Sequence, residues 1–282
     1  MKISTEINSP SRLVSPEKAV ELVAKAGFDA WDFSMFDMHE GPHAANEPLM
    51  GADYLSYARR LKQIGLDNGI VCNQSHAPFP SEAPHVRPYL QRAIECTAEA
   101  GGQICVIHPD NSATPEKNAE LYWEILPFAK DCGVKIATEN MWNWDDEKDQ
   151  SCFAACATPE SFCNHLSAVN DDFFVACLDI GHAEMRGSET SAVEMIHALG
   201  PKLQALHIHD NDQWKDWHEI PFSMNIDFPA IIKALKSIGY TGYLTLEAEC
   251  YLYKYNTENV FEGVCKLAES AKRLVNIWSE VE

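Results

Sequence analysis

The chain has 282 residues, 46% of them hydrophobic and 23% charged, and its 42 Asp and Glu against 22 Lys and Arg give a formal charge of −20. That length suits one large globular domain with a sizeable core, and a surface so acidic repels phosphate backbones and anionic membranes, with no run of Lys or Arg to offset it. No apolar run approaches the roughly eighteen residues that span a bilayer, and MKISTEI is too short and polar for a signal peptide, so the expectation is a cytoplasmic protein with no nucleic-acid or membrane partner.

Eight β-rich runs follow one another along the chain: KISTEI (2–7), AWDFSM (30–35), GIVCNQSH (69–76), QICVIH (103–108), VKIATEN (134–140), FFVACLDI (173–180), LQALHIH (203–209) and YLTLEAE (243–249). Between them lie stretches with apolar residues at three and four spacing, such as PEKAVELVAKAGF and FPAIIKALKSIGY, which predict amphipathic helices. Gly27, Gly65, Gly101, Gly133, Gly200 and Gly239 suit their C-caps. Strand and helix alternating eight times predicts an α/β fold, a closed (β/α)8 TIM barrel forming a single domain over 1–282. An open doubly wound sheet would want a Gly-rich nucleotide loop after the first strand, and none is present. The ten cysteines are scattered without a CxxC pair and read as reduced thiols. Cys152, Cys156 and Cys163 in SCFAACATPESFC could hold a soft metal but lack a matching second pair.

A barrel of this kind places its site where the strands end. Those ends carry His76, His108, Glu139, Asp179 with His182 just beyond, His207 and His209, and Glu247 with Glu249. A carboxylate in a buried strand, as in KIATEN or LTLEAE, costs several kcal/mol to desolvate unless a positive charge compensates it. No Lys or Arg stands at a neighbouring strand end, so a divalent cation is the natural compensator. Glu139, Asp179, His207 and Glu247, from four successive strands, form an oxygen and nitrogen donor set suited to Mn2+ first, with Mg2+, Co2+ or Zn2+ open. ALHIHDNDQWKDWHE (205–219) adds further ligand-type residues, Asp216 and His218 among them. Trp31, Phe33, Phe36, Phe79, Trp142, Trp144, Trp214 and Trp217 could form an aromatic wall around the strand ends. Only Arg186, Lys148 and Lys215 are on hand for a phosphate, which favours an unphosphorylated ligand.

SHAPF (75–79), VIHPD (106–110), ATENMW (137–142), CLDIGHAEMRG (177–187), LHIHDND (206–212) and IDFPAIIKALKSIGYTGYLTLEAE (226–249) together resemble the xylose isomerase-like TIM barrels. That family includes ketose 3-epimerases, hydroxypyruvate isomerase and, more distantly, endonuclease IV. The resemblance implies one divalent metal held by Glu139, Asp179, His207 and Glu247, with Glu139 and Glu247 as the acid and base. It implies proton abstraction next to a carbonyl through a metal-stabilised enediolate. The family's HxxD pattern matches His207 and Asp210, leaving His209 as a substrate-binding or alternate ligand. His182, His108, Trp142 and Lys215 are the other expected substrate contacts. The endonuclease branch carries further metals, and its extra ligands match His76, His108, His182, Asp216 and His218, so an additional ion on His76, Asp216 or His218 is open, while the −20 charge argues against DNA as substrate. The function implied is a metal-dependent sugar or keto-sugar isomerase or epimerase acting on a small molecule, with homo-oligomerisation open. A lyase or dehydratase using the same site, or a non-catalytic sugar-binding barrel, are the alternatives.

Overall fold

The computed structural model describes residues 1–36, 38 and 47–281. The strands are β1 (Lys2–Glu6), β2 (Ala30–Ser34), β3 (Val71–His76), β4 (Ile104–Val106), β5 (Lys135–Glu139), β6 (Asn143–Asp145), β7 (Gln150–Cys152), β8 (Phe174–Asp179), β9 (Leu203–His207) and β10 (Tyr243–Leu246). Eight of them form one parallel sheet in the order β10-β1-β2-β3-β4-β5-β8-β9. Its two edges meet through an Ile208–Leu246 bridge, where Ile208 N–H donates to Thr245 O at 2.9 Å and Glu247 N–H to Ile208 O at 3.0 Å. The result is the expected TIM barrel, nearly closed. The antiparallel β6–β7 hairpin after β5 was not foreseen, because three-residue strands are too short to show a two-residue period.

Around the sheet lie α1 (Asn8–Ser11), α2 (Pro16–Ala26), α3 (Glu47–Met50), α4 (Tyr54–Asp67), α5 (Arg87–Ala100), α6 (Pro115–Asp131), α7 (Pro159–Val169), α8 (Ile180–Glu184), α9 (Ala192–Leu199), α10 (Phe228–Ser237) and α11 (Val260–Glu280). Four of these start alike, with a hydroxyl or carboxylate cap and a proline at the first or second helical position. Ser15, Thr114, Thr158 and Asp227 each accept from the backbone amide three residues on, and the proline loses no bond because the first helical N–H groups are unpaired in any case. Gly27 and Gly101 end their helices in the left-handed region, as expected. Gly65 does not. It lies inside α4, where a Cβ would come within 2.9 Å of the Trp31 indole nitrogen, so it is a close-packing glycine, and Gly69 takes the left-handed turn instead.

The main core fills the layer between sheet and helices, while the barrel interior holds small side chains, Val106, Ala137, Val175, Cys177 and Ala205. The expected strand runs overshoot the ladder at every C-terminal end except that of β3. Asn140, His209, Glu247 and Glu249 therefore lie in the rim, where the chain leaves the sheet and can aim side chains across the mouth. Among the described residues no helix is long and apolar enough to cross a membrane. All ten cysteines are free, and none joins a metal-competent group among the described residues.

Candidate metal centre

Because strands of a barrel converge on one mouth, the last residues of β5, β8 and β9 and the first residue after β10 meet there. Glu139, Asp179, His207 and Glu247 are all buried, and each offers a donor atom within 4.8 Å of the others. His207 Nδ1 lies 2.8 Å from Glu139 Oε1 and 3.5 Å from Glu247 Oε2. Two adjoining groups meet the same criterion: His76 with Glu139 and His207, and His182 with His209, Asp216 and His218.

Local structure explains how the second of these is built. Asp179 caps α8 by accepting from His182 N–H at 2.7 Å, which brings the His182 ring back over the mouth one turn later. Asn140 clamps the same strand end, donating Nδ2–H to Asp179 O at 2.9 Å and accepting from Asp179 N–H at 2.8 Å. The segment after β9 is pinned by Asp210, which pairs with Glu219 across an antiparallel bridge and accepts from Met224 N–H at 2.8 Å and Ile226 N–H at 3.1 Å. Asp210 is thus a loop anchor. His218, held at φ 43°, is a non-glycine residue in the left-handed region, and such conformations persist only where the surroundings enforce them.

Three of the imidazoles carry a proton on Nδ1, because the carbonyl each faces can only accept. His76 Nδ1–H donates to Ala77 O at 2.8 Å, His182 Nδ1–H to Asn140 O at 2.9 Å and His218 Nδ1–H to Glu247 O at 2.8 Å. Their Nε2 atoms are aimed inward, at distances of 2.8 Å from His108 Nε2 for His76 and 3.1 Å from Asp216 Oδ2 for both His182 and His218. A ring anchored through one nitrogen with the other free is the usual preparation of a metal-ligating histidine. His108 joins them, its Nε2 3.1 Å from Glu139 Oε2.

His209, expected as a substrate contact or an alternate ligand, lies off the cavity wall but within the second metal-competent group. It is fully buried, stacks on His218 with centroids 3.8 Å apart, and points Nε2 at Asp179 Oδ1 from 3.1 Å. Gly181 permits this, since a Cβ there would sit 1.9 Å from the His209 ring. Gly181→Ala is expected to cost about 1–3 kcal/mol, seen as a lower urea midpoint at unchanged slope. An unchanged midpoint would show that His209 has room elsewhere.

The electrostatics are those of trapped negative charge. Burial pushes the Glu139 carboxyl up, but His207, His108 and His76 outweigh it and hold it well below the carboxylate range. Burial lifts Glu247 well above that range, and Glu139 and Glu249 add to the shift against the pull of His207. Burial disfavours a charged His182, yet Asp179 and Asp216 raise it to about 10. Burial and His76 lower His108 to about 4. Asp179 Oδ2 and Asp216 Oδ1 are buried without any hydrogen-bond partner, a condition that costs free energy unless a ligand satisfies them. These orphaned oxygens, the converging lone pairs and the carboxylate and imidazole chemistry fit a divalent cation.

The adjoining cavity has a volume of about 470 Å3 and is lined by His76, His108, Glu139, His182, Asp216, His218 and Glu247, with no Lys or Arg among the described residues. Trp142 lines it, donating Nε1–H to Asp216 Oδ2 at 3.1 Å. Phe36 and Phe79 line it too, packed edge-on at 5.7 Å. The other expected aromatics do not. Trp31 and Phe33 are buried, Trp31 against α4, Trp214 packs under the Arg186 guanidinium, and Trp144 and Trp217 lie off the lining. Lys215, expected at the substrate, is exposed and off the cavity wall, and Lys148 pairs with Asp145.

Three polar groups escaped the sequence reading: Glu6, Asp32 and Asn140, all buried. Burial and Glu249 raise Glu6 to about 7. Asp32 stands in mid-strand in AWDFSM, and a carboxylate within a buried run was the signal that marked Glu139.

Comparison with known proteins agrees with this architecture. Residues 20–274 match the family model described as xylose isomerase-like TIM barrel. An uncharacterised protein of Methanocaldococcus jannaschii is 28% identical over 263 residues, covering 87% of this chain and 82% of that protein. Among solved structures, a D-tagatose 3-epimerase-like protein superposes with a TM-score of 0.74 at 24% identity, covering 99% of both chains. The IolI protein with a bound zinc atom gives 0.73 at 18% identity, covering 100% of this chain and 99% of its own. With the family model spanning all but the two ends, the chain belongs to the xylose isomerase-like TIM barrel family.

Proposed function

We propose that this protein is a metal-dependent isomerase or epimerase of an unphosphorylated sugar or keto sugar. The observation that carries the reading is the convergence of Glu139 and Glu247 on His207 at the floor of the cavity, two carboxyls whose proton affinities are driven in opposite directions. Such a split pair suits one acid and one base. The epimerase names of proteins sharing the fold agree with it.

Glu139, Asp179, His207 and Glu247 would hold the ion, Mn2+ in the first instance given three hard carboxylates. A divalent cation there supplies Lewis-acid polarisation of a substrate carbonyl. Glu139 and Glu247 would act as the base and acid, one taking the proton from the carbon beside the carbonyl and the other returning one. Trp142, Phe36 and Phe79 cover the apolar face of the sugar and keep water from the reacting carbon. Among the described residues the wall has no Lys or Arg to receive a phosphate, and the −20 charge opposes a nucleic-acid substrate.

A second reading concerns the number of ions. The inward Nε2 atoms of His76, His182 and His218, with Asp216, favour one or two more cations beside the first. Elemental analysis of the purified protein counts them.

The test of function is incubation with neutral ketoses and keto-glycosides in D2O, followed by NMR. Deuterium entering at the carbon next to the carbonyl with the skeleton retained is the expected result. Release of water or an aglycone would make the protein a lyase, and binding without exchange a sugar-binding barrel.

A further inference from the structure

The buried charge of the mouth extends beyond the four strand-end residues. Asp32 lies in the middle of β2, just where the pairing with β3 slips, so that Trp31 faces Cys72 but Asp32 faces Gln74. Bulges of this kind recur beside active sites, where they re-aim a side chain. Alternation along the strand sends Trp31 outward to α4 and Asp32 with Ser34 toward the barrel interior. Asp32 is 1% exposed; its Oδ1 accepts from Ser34 Oγ–H at 3.2 Å, and its Oδ2 has no hydrogen-bond partner. At 3.7 Å from that oxygen lies His207 Nε2, which is buried and also without a partner.

Two buried polar atoms facing each other without hydrogen-bond partners define a direction. The Asp32 oxygen 3.7 Å from Nε2 is placed as an acceptor and favours a proton on Nε2, whereas Glu139 Oε1, 2.8 Å from Nδ1, favours one on Nδ1. Only the first arrangement leaves the Nδ1 lone pair facing Glu139 and Glu247. His207 also lacks the anchor of three neighbouring rings, for His76, His182 and His218 are each held through Nδ1 by a backbone carbonyl. We propose that Asp32 is the positioning residue of His207: it keeps the ring proton on Nε2 and so presents Nδ1 as the donor toward Glu139, Asp179 and Glu247. This rests on the metal-site reading above, and is separable from it.

The test uses the full chain loaded with Zn2+, which is diamagnetic, and 15N-histidine NMR. In the wild-type protein His207 should carry its proton on Nε2 and ligate through Nδ1; ligation through Nε2 would overturn the proposal without any variant. Asp32→Asn keeps the shape and can keep the Ser34 contact, but can turn an N–H toward Nε2. A folded Asp32→Asn protein should bind Zn2+ about 10–100-fold more weakly in chelator competition, with the Nε2–H signal of His207 lost or reduced. Unchanged affinity with an unchanged His207 signal would overturn the proposal. A wild-type protein that binds no Zn2+ would instead overturn the metal-site reading itself.

Discussion

Replacing Glu139 with Gln is expected to lower turnover by roughly 10²–10⁴-fold, the range a positioned acid or base contributes, and to weaken cation binding in the same protein. Glu139 is the hinge of the mouth. One oxygen faces His207 at 2.8 Å, the other His108 at 3.1 Å and His76 at 3.6 Å. An amide of the same shape removes the charge those rings converge on and offers a hydrogen where one of them needs an acceptor. Glu247→Gln should lose turnover similarly but perturb the cation-free protein less, because burial already favours the neutral form there. Deuterium exchange rates and bound metal for the two variants check this; a fully active Glu139→Gln protein would end the acid–base assignment.

Stripping the cation should produce the largest change in stability. Glu139, Asp179, Asp216 and Glu247 share one mouth whose cavity wall lacks Lys and Arg among the described residues, and Asp179 and Asp216 each leave an oxygen without a hydrogen bond. A ligand at a thousandfold excess over its dissociation constant stabilises by about 4 kcal/mol, and at about 2–4 °C per kcal/mol for large domains the loaded protein should melt on the order of 10 °C higher. Thermal scans with Mn2+ and with chelator measure the gap.

The gap should widen as pH rises. Glu247 is raised in the fold by burial, Glu139 and Glu249, so above the ordinary carboxylate range the stripped fold loses stability until pH passes its folded value. His207 is disfavoured as a cation by burial, but Cys177, Glu139 and Glu247 raise it; its contribution is present below about 6.5 and lost as pH climbs through the folded value. Glu139 is held low and loses its contribution only in more acid solution, as pH falls through its folded value. Cations replace the protons that Glu247 and His207 hold, so affinity should also rise as pH climbs above the ordinary carboxylate and imidazole values. A gap constant over that rise would show that these two groups stay unprotonated without metal.

The barrel and the ring of ligand-type residues could be read from the chain because both leave local marks. Periodicity switches between two and 3.6 along the sequence, and a carboxylate such as Glu139 or Glu247 stands out at the end of an apolar run. Tertiary structure alone decided which of those residues meet. His209 and Lys215 sit in the same dense stretch as His207 and Asp216, yet His209 is tucked against Gly181 with its Nε2 toward Asp179 and Asp216, while Lys215 faces solvent. That outcome depends on Asp210 pinning the loop and on His218 holding a left-handed backbone. Asp32 reaches His207 because a register slip turns it inward beside a strand far away in the chain. Residue type and period are written in sequence; side-chain direction across the mouth is set by strand register and loop path, which arise from contacts between segments.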